Sequence, residues 1–127
     1  MKILLVDDSK LMRNAMRKHL STLPDCEFTE AGDGAQGLAA IQAAGPGGFD
    51  IVLVDWNMPT MDGLTMVKNV RELDKKTPLV MVTTEGEASR VIEAVRAGTN
   101  NYVVKPFTPE VLIEKINATI AKLKAAA

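Results

Sequence analysis

Ile51-Val52-Leu53-Val54-Asp55-Trp56-Asn57-Met58-Pro59-Thr60-Met61-Asp62-Gly63 is the stretch from which the rest of the chain can be read. Four consecutive apolar residues, Ile51 to Val54, stop abruptly at a carboxylate. A run without alternation, bounded by turn residues, is the pattern of a strand buried on both faces, as in parallel sheets. Asp55 then falls where the strand leaves the sheet, and in open α/β sheets ligands bind outside the carboxyl ends of strands. Pro59 and Asp62-Gly63 mark a loop, which turns into a helix near Leu64. A lone strand-end aspartate has a plain alternative reading as a loop starter or helix cap. The same arrangement recurs, however, at Asp7-Asp8 after Ile3-Leu4-Leu5-Val6.

Outward from this stretch, strand-like and helix-like periods alternate. Strands are predicted over residues 2–6, about 26–30, 50–54, 78–82 and 101–104. Between them lie apolar stripes at helical spacing. Leu11, Met12, Ala15, Met16, Leu20 and Leu23 form the first, closed by Pro24, and Leu38, Ala39 and Ile41 the second, closed by Gly45-Pro46-Gly47-Gly48. Leu64, Val67, Val70 and Leu73 form the third; Ala88, Val91, Ile92 and Val95, ended by Gly98, form the fourth. The fifth contains Leu112, Ile113, Ile116, Ile120 and Leu123, with Thr108 as N-cap and Pro109 in the first helical position. Ala125-Ala126-Ala127 reads as a frayed end. Five β-α units in succession predict an α/β fold: a five-stranded parallel sheet with helices on both faces. The runs at Ile3, Ile51 and Leu79 are apolar throughout and belong in the interior, whereas Cys26-Glu27-Phe28-Thr29-Glu30 alternates and suits an edge. The flavodoxin-like order 2-1-3-4-5 satisfies both and brings Asp7, Asp8 and Asp55 into one cleft.

The 127 residues suit a single domain over 1–127, and 46% hydrophobic with 24% charged residues describes a globular chain. A net charge of −1 gives no reason to expect nucleic acid or a membrane surface as partner. The apolar run after Met1-Lys2 is too short for a signal-peptide core, no other run approaches a membrane span, and one cysteine, Cys26, excludes an internal disulfide. A cytoplasmic monomer is the expectation. His19, the only histidine, reads as a boundary residue.

Three aspartates in one cleft repel one another and require a cation or a raised pKa. Hard oxygen ligands without nearby His or Cys favour Mg²⁺. Thr83 and Lys105 follow two further strands and add a hydroxyl and an ammonium at the same edge. Metal, ammonium and hydroxyl facing one carboxylate are the parts that hold a transferring phosphoryl group.

Asp7-Asp8, Asp55, Thr83 and Lys105-Pro106, with Asp55-Trp-Asn-Met-Pro-x-Met-Asp-Gly-Leu64 and Asn101-Tyr-Val-Val-Lys-Pro-Phe-Thr108, resemble the receiver domains of two-component response regulators, and among them the CheY-like chemotaxis group. The resemblance covers essentially the whole chain. It implies that Asp55 accepts a phosphoryl group from a CheA-like histidine kinase. It further implies Mg²⁺ bound by Asp8, Asp55 and the Asn57 backbone carbonyl, with Asp7 helping through water. Thr83 and Lys105 would contact the phosphoryl oxygens, the Lys105-Pro106 bond would be cis, and Tyr102 would turn inward on activation. The implied target face carries Val91, Val95, Tyr102, Val104 and Lys115, for a flagellar motor switch protein or another target, with a phosphatase also among the partners.

Departures from the family pattern carry expectations of their own. Thr84 replaces a smaller residue and would narrow access to the phosphoryl site. Asn100-Asn101 stands where relatives often carry glycine and would supply a positive-φ turn. Arg90 and Arg96 stand in place of a lysine pair. A Mg²⁺-dependent phosphohydrolase is disfavoured because Asn57 occupies the position where such enzymes carry a second acidic residue. The chain is expected to catalyse only its own phosphorylation and dephosphorylation. A nucleotide- or flavin-binding module is rejected, since Asp7-Asp8-Ser9-Lys10 lacks glycine and puts negative charge where a phosphate would sit. A receiver from a non-chemotaxis pathway, stand-alone or excised from a DNA-binding regulator, is the alternative.

Overall fold

A computed structural model of the chain describes residues 1–126. The described elements alternate without interruption: β1 (Lys2–Val6), α1 (Lys10–Leu20), β2 (Glu27–Ala31), α2 (Gly34–Ala44), β3 (Ile51–Val54), α3 (Gly63–Leu73), β4 (Leu79–Thr83), α4 (Ala88–Ala97), β5 (Asn101–Val104) and α5 (Pro109–Ala126). The sheet is parallel in the order β2-β1-β3-β4-β5. This is the doubly wound arrangement that the apolar runs predict. Ile3–Val6 and Ile51–Val54 are fully buried, and Leu79–Val82 nearly so.

Side chains of a strand alternate between faces, so each interior strand feeds two cores. Leu4, Val6, Val52, Val54, Leu79 and Met81 pack with residues of α2, α3 and α4. Ile3, Leu5, Ile51, Leu53, Val80 and Val82 pack with Met16 and Leu20 of α1 and Leu112 and Ile116 of α5. A continuous apolar run is needed for this, because neither face of these strands meets water.

Strand ends differ from the sequence reading by one residue for identifiable reasons. Pro78 has no N–H to give a ladder, and β4 instead extends to Thr83, whose carbonyl accepts from the Lys105 N–H at 2.8 Å. β2 extends to Ala31, whose carbonyl accepts from the Asp7 N–H at 3.1 Å. Asp50 stands before β3 with its carboxylate accepting from the Lys2 N–H at 2.7 Å.

Several expectations are corrected. Leu11 and Leu73, read as core stripe residues, are 82% and 67% exposed. They lie at the rim of their helices, where the stripe has rotated off the sheet. Ile92 and Val95 are also about half exposed, because α4 rests on the sheet through Ala94. The turn before β5 uses positive φ at Gly98 rather than at Asn100 or Asn101. Asn100 serves instead through its side chain, whose Oδ1 accepts from the Leu79 N–H at 2.8 Å and from Arg71 Nη2 at 3.1 Å. Ala125 and Ala126, expected to fray, continue α5, and Ala127 lies outside the described residues. Among the described residues no helix is long and apolar enough to cross a membrane.

The contrast between Leu20 and Leu11 is testable by urea denaturation. Leu20→Ala, at a fully buried site, should cost about 2–5 kcal/mol. Leu11→Ser should change stability by no more than about 0.5 kcal/mol.

Candidate functional site

The register of β1 against β3 aligns Val6 with Val54, so the residues that follow both strands emerge side by side. The Asp55 N–H donates to the Val6 carbonyl at 2.9 Å, which ties the two strand ends together. Carboxylate oxygens of Asp7, Asp8 and Asp55 all lie within 4.8 Å of one another. None of the three caps a helix. Ser9 caps α1, its hydroxyl accepting from the Met12 N–H at 3.1 Å, and Asp62 caps α3 by accepting from the Thr65 N–H at 2.8 Å. The plain reading of the strand-end aspartates as caps is thereby excluded.

Lys105 reaches the cluster from the far end of the sheet. Its Nζ lies 2.9 Å from Asp7 Oδ2 and 3.4 Å from Asp55 Oδ2, with only 12% of the side chain exposed. The Lys105-Pro106 peptide is cis. Asp7 Oδ1 accepts from the Ser9 N–H at 2.9 Å, and Asp55 Oδ1 accepts from the Trp56 N–H at 2.7 Å. Asp8 is exposed, and its carboxylate has no hydrogen-bond partner among the described residues. Thr83 is fully buried at the end of β4. Tyr102 points inward, 8% exposed, and its hydroxyl donates to the Glu85 carbonyl. Burial and the neighbouring Glu85 push its phenol up to about 12, so it stays a donor at neutral pH.

Burial raises the Asp55 pKa above the ordinary carboxylate value; Lys105 opposes that shift and Asp7 adds to it. The charged carboxylate is thus disfavoured chiefly by its burial, which the Lys105 ammonium offsets only in part. Three hard oxygen donors, one of them facing solvent, fit a small divalent cation that keeps several waters, as Mg²⁺ does.

Sequence reasoning missed several residues that build this site. Glu85 accepts at Oε1 from Asn57 Nδ2 at 3.0 Å and gives its carbonyl to Tyr102, so one residue joins the loops after β3 and β4. Its position two residues past the strand-end Thr83 was the available signal. Arg13 holds the Asp7 carbonyl from α1. Arg90 stacks its guanidinium 5.2 Å from the centre of the Trp56 ring, and Trp56 is almost wholly buried. Gly63, which the sequence marks as a turn former, opens α3 beneath the site. A Cβ there would fall 2.0 Å from the Asp55 carbonyl oxygen, and its N–H donates to the Trp56 carbonyl at 2.8 Å. Thr84 is exposed on the loop beyond Thr83. Away from the cluster, Val91, Val95, Tyr102, Val104 and Lys115 all line one cleft of about 620 Å³ between α4, β5 and α5.

A doubly wound sheet with a carboxylate cluster, a lysine and a threonine at its carboxyl edge defines a class of signalling domain. Residues 3–117 match the response regulator receiver domain family, and the chain belongs to that family. It is 43% identical over 122 residues to the chemotaxis protein CheY1 of Helicobacter pylori, covering 94% of this chain and 97% of that protein. It is 41% identical over 125 residues to CheY-3 of Vibrio cholerae, covering 97% of this chain and 94% of that one. Among solved structures, the CheX-CheY-BeF3-Mg²⁺ complex from Borrelia burgdorferi contains a similar chain, with a TM-score of 0.88, 25% identity and coverage of 93% of this chain and 87% of that one. The chain is therefore a response regulator receiver domain of the two-component class, similar to CheY chemotaxis proteins.

Two outcomes follow from the site's electrostatics and packing. Since the folded-state pKa of Asp55 exceeds the unfolded value, its charge opposes folding above the folded pKa, and the opposition fades as pH falls through it. Asp55→Asn should raise the Tm of metal-free protein at about pH 8, with a gain that shrinks toward about pH 4. An equal gain at both pH values would show that the charge is not responsible. Gly63→Ala should destabilise by roughly 1–3 kcal/mol or more in urea denaturation, because the Asp55 carbonyl must move. A neutral result would contradict the close approach.

Proposed function

We propose that the protein is a phosphorylation-dependent switch in which Asp55 accepts a phosphoryl group from the phosphohistidine of a kinase. The observation that supports this best is Lys105 Nζ standing between Asp7 and Asp55 at 2.9 and 3.4 Å. A carboxylate oxygen of Asp55 forms a bond to phosphorus as the phosphorus–nitrogen bond breaks, and the imidazole departs. The product is an acyl phosphate. Lys105 meets the negative charge of the phosphoryl oxygens, and the Trp56 N–H fixes the orientation of the Asp55 carboxylate. Asp8, Asp55 and the carbonyl of Asn57, with Asp7 nearby, would hold Mg²⁺, which when bound supplies the divalent charge that carboxylates and phosphoryl oxygens share.

Thr83, whose hydroxyl lies at the end of β4, would donate to a phosphoryl oxygen. Glu85 links the loop after Thr83 to Tyr102, so a shift of that loop alters the support of the tyrosine ring. The output is the cleft between α4, β5 and α5, where Val91, Val95, Val104 and Lys115 meet Tyr102. The likeness to CheY proteins favours chemotaxis as the setting, with a CheA-like kinase upstream and a flagellar motor switch protein as target. The CheX-CheY complex of Borrelia burgdorferi favours a phosphatase as a further partner. No turnover of a separate substrate is proposed, because Asn57 offers an amide, bonded to Glu85, where a phosphohydrolase needs an acid.

Incubation with Mg²⁺ and acetyl phosphate should add one base-labile phosphoryl group to Asp55, read by mass spectrometry of tryptic peptides. Asp55→Asn should abolish labelling, and Lys105→Ala should slow it by roughly 10²-fold. Phosphate on Thr83 or Ser9 with Asp55 unmodified would overturn the reading.

A further inference from the structure

The opposite side of α4 from the output cleft carries a second, basic cleft. Two adjoining cavities of about 770 and 350 Å³ lie between α3 and α4 and share Lys68, Arg96 and Ala97. Four cations line them, Lys68, Arg71, Lys75 and Arg96, against two anions, Glu72 and Glu93. Glu93 faces Arg90 at 3.9 Å. Lys68, Lys75 and Arg96 are exposed and have no ion-pair partner among the described residues. In a chain of net charge −1 this is a local excess of positive charge.

The cleft has a built floor. Arg71 Nε donates to the Gly98 carbonyl at 2.9 Å, and its Nη atoms donate to the Asp74 carbonyl and to Asn100 Oδ1, both at 3.1 Å. A Cβ at Gly98 would meet the Arg71 side chain at 2.6 Å, so the end of α4 is seated directly on this arginine. The two helices are joined here before any partner arrives, which limits the ordering cost of binding. Ile92, 51% exposed, supplies an apolar patch on the same wall.

We infer that the α3–α4 cleft is a second docking surface, which takes an acidic segment of a partner protein carrying an apolar side chain for Ile92. Charge complementarity selects the acid, and Ile92 with Ala97 selects a protein segment over a nucleic acid. A duplex presents about one charge per 1.7 Å along its axis and calls for a longer track of cations than three. Val91 and Val95 of α4 line the output cleft whereas Ile92, Glu93 and Arg96 line this one, so a partner held here leaves the output face open. The inference does not depend on the chemistry at Asp55.

The test is a titration of ¹⁵N-labelled protein, followed by amide chemical shifts, with two helical peptides of equal length. One is composed of Glu and Leu, the other of Lys and Leu. The Glu/Leu peptide should shift Lys68, Lys75, Ile92 and Arg96 saturably, and added salt should weaken it. Replacing the three cations (Lys68→Ser, Lys75→Ser, Arg96→Ser) should lower its affinity about tenfold, whereas Lys115→Ser on the output face should not. Shifts confined to Tyr102 and Lys115, an equal response to the Lys/Leu peptide, no response to either, or tighter binding of a DNA oligonucleotide would each overturn the inference. Labelling of Asp55 by acetyl phosphate, measured on the same triple variant, should be unchanged, which separates a failure here from a failure of the phosphotransfer reading.

Discussion

Repulsion among Asp7, Asp8 and Asp55 is the constraint around which the molecule is arranged. Carboxylates within 4.8 Å of one another repel, most strongly between the buried Asp7 and Asp55 and least where Asp8 meets water. No isolated loop would hold them together. They are held because each follows a strand whose residues are buried on both faces, so the strand ends cannot separate without opening two cores. The strand order places β1 beside β3, and Lys105 closes the cluster from the end of β5. Charge crowding at the site is thus maintained by apolar burial elsewhere, a division common to functional sites.

The same arrangement distributes rigidity unevenly. β1, β3 and β4 are sealed, and α3 is fixed under Asp55 through Gly63. α4 is held more lightly, with Ala94 its one buried residue and with Ile92 and Val95 facing outward. An element with few buried apolar contacts is displaced at low cost. It also touches the neighbourhood of Asp55, since Arg90 lies over Trp56. The helix with the fewest buried residues is therefore the one that borders the site, the output cleft and the basic cleft.

Much of this was legible in the residues themselves. The uniform apolar runs at Ile3, Ile51 and Leu79 specify interior parallel strands, and from these follow the strand order and the meeting of Asp7, Asp8, Asp55 and Lys105. What was not legible depends on three-dimensional fit. Periodicity cannot say how a helix is rotated on the sheet, so Leu11, Leu73 and Ile92 read as core though they face solvent. Residue preference allowed positive φ at Asn100 and Asn101, but Gly98 took it and left Asn100 to bridge Leu79 and Arg71. Gly63 looked like a turn residue, because a contact between a helix start and a carbonyl seven positions or more earlier leaves no local pattern. Glu85 escaped notice for the same reason, since its role lies in what it joins.

The most direct measurement is a Mg²⁺ titration followed by the emission of Trp56, the chain's only tryptophan, whose backbone N–H donates to Asp55 Oδ1. If three carboxylates crowd one cation site, Mg²⁺ should change the emission saturably in the wild-type protein, and Asp8→Ala should abolish the change while leaving the fold intact. An undiminished response in that variant would show that the aspartates do not act as one cluster.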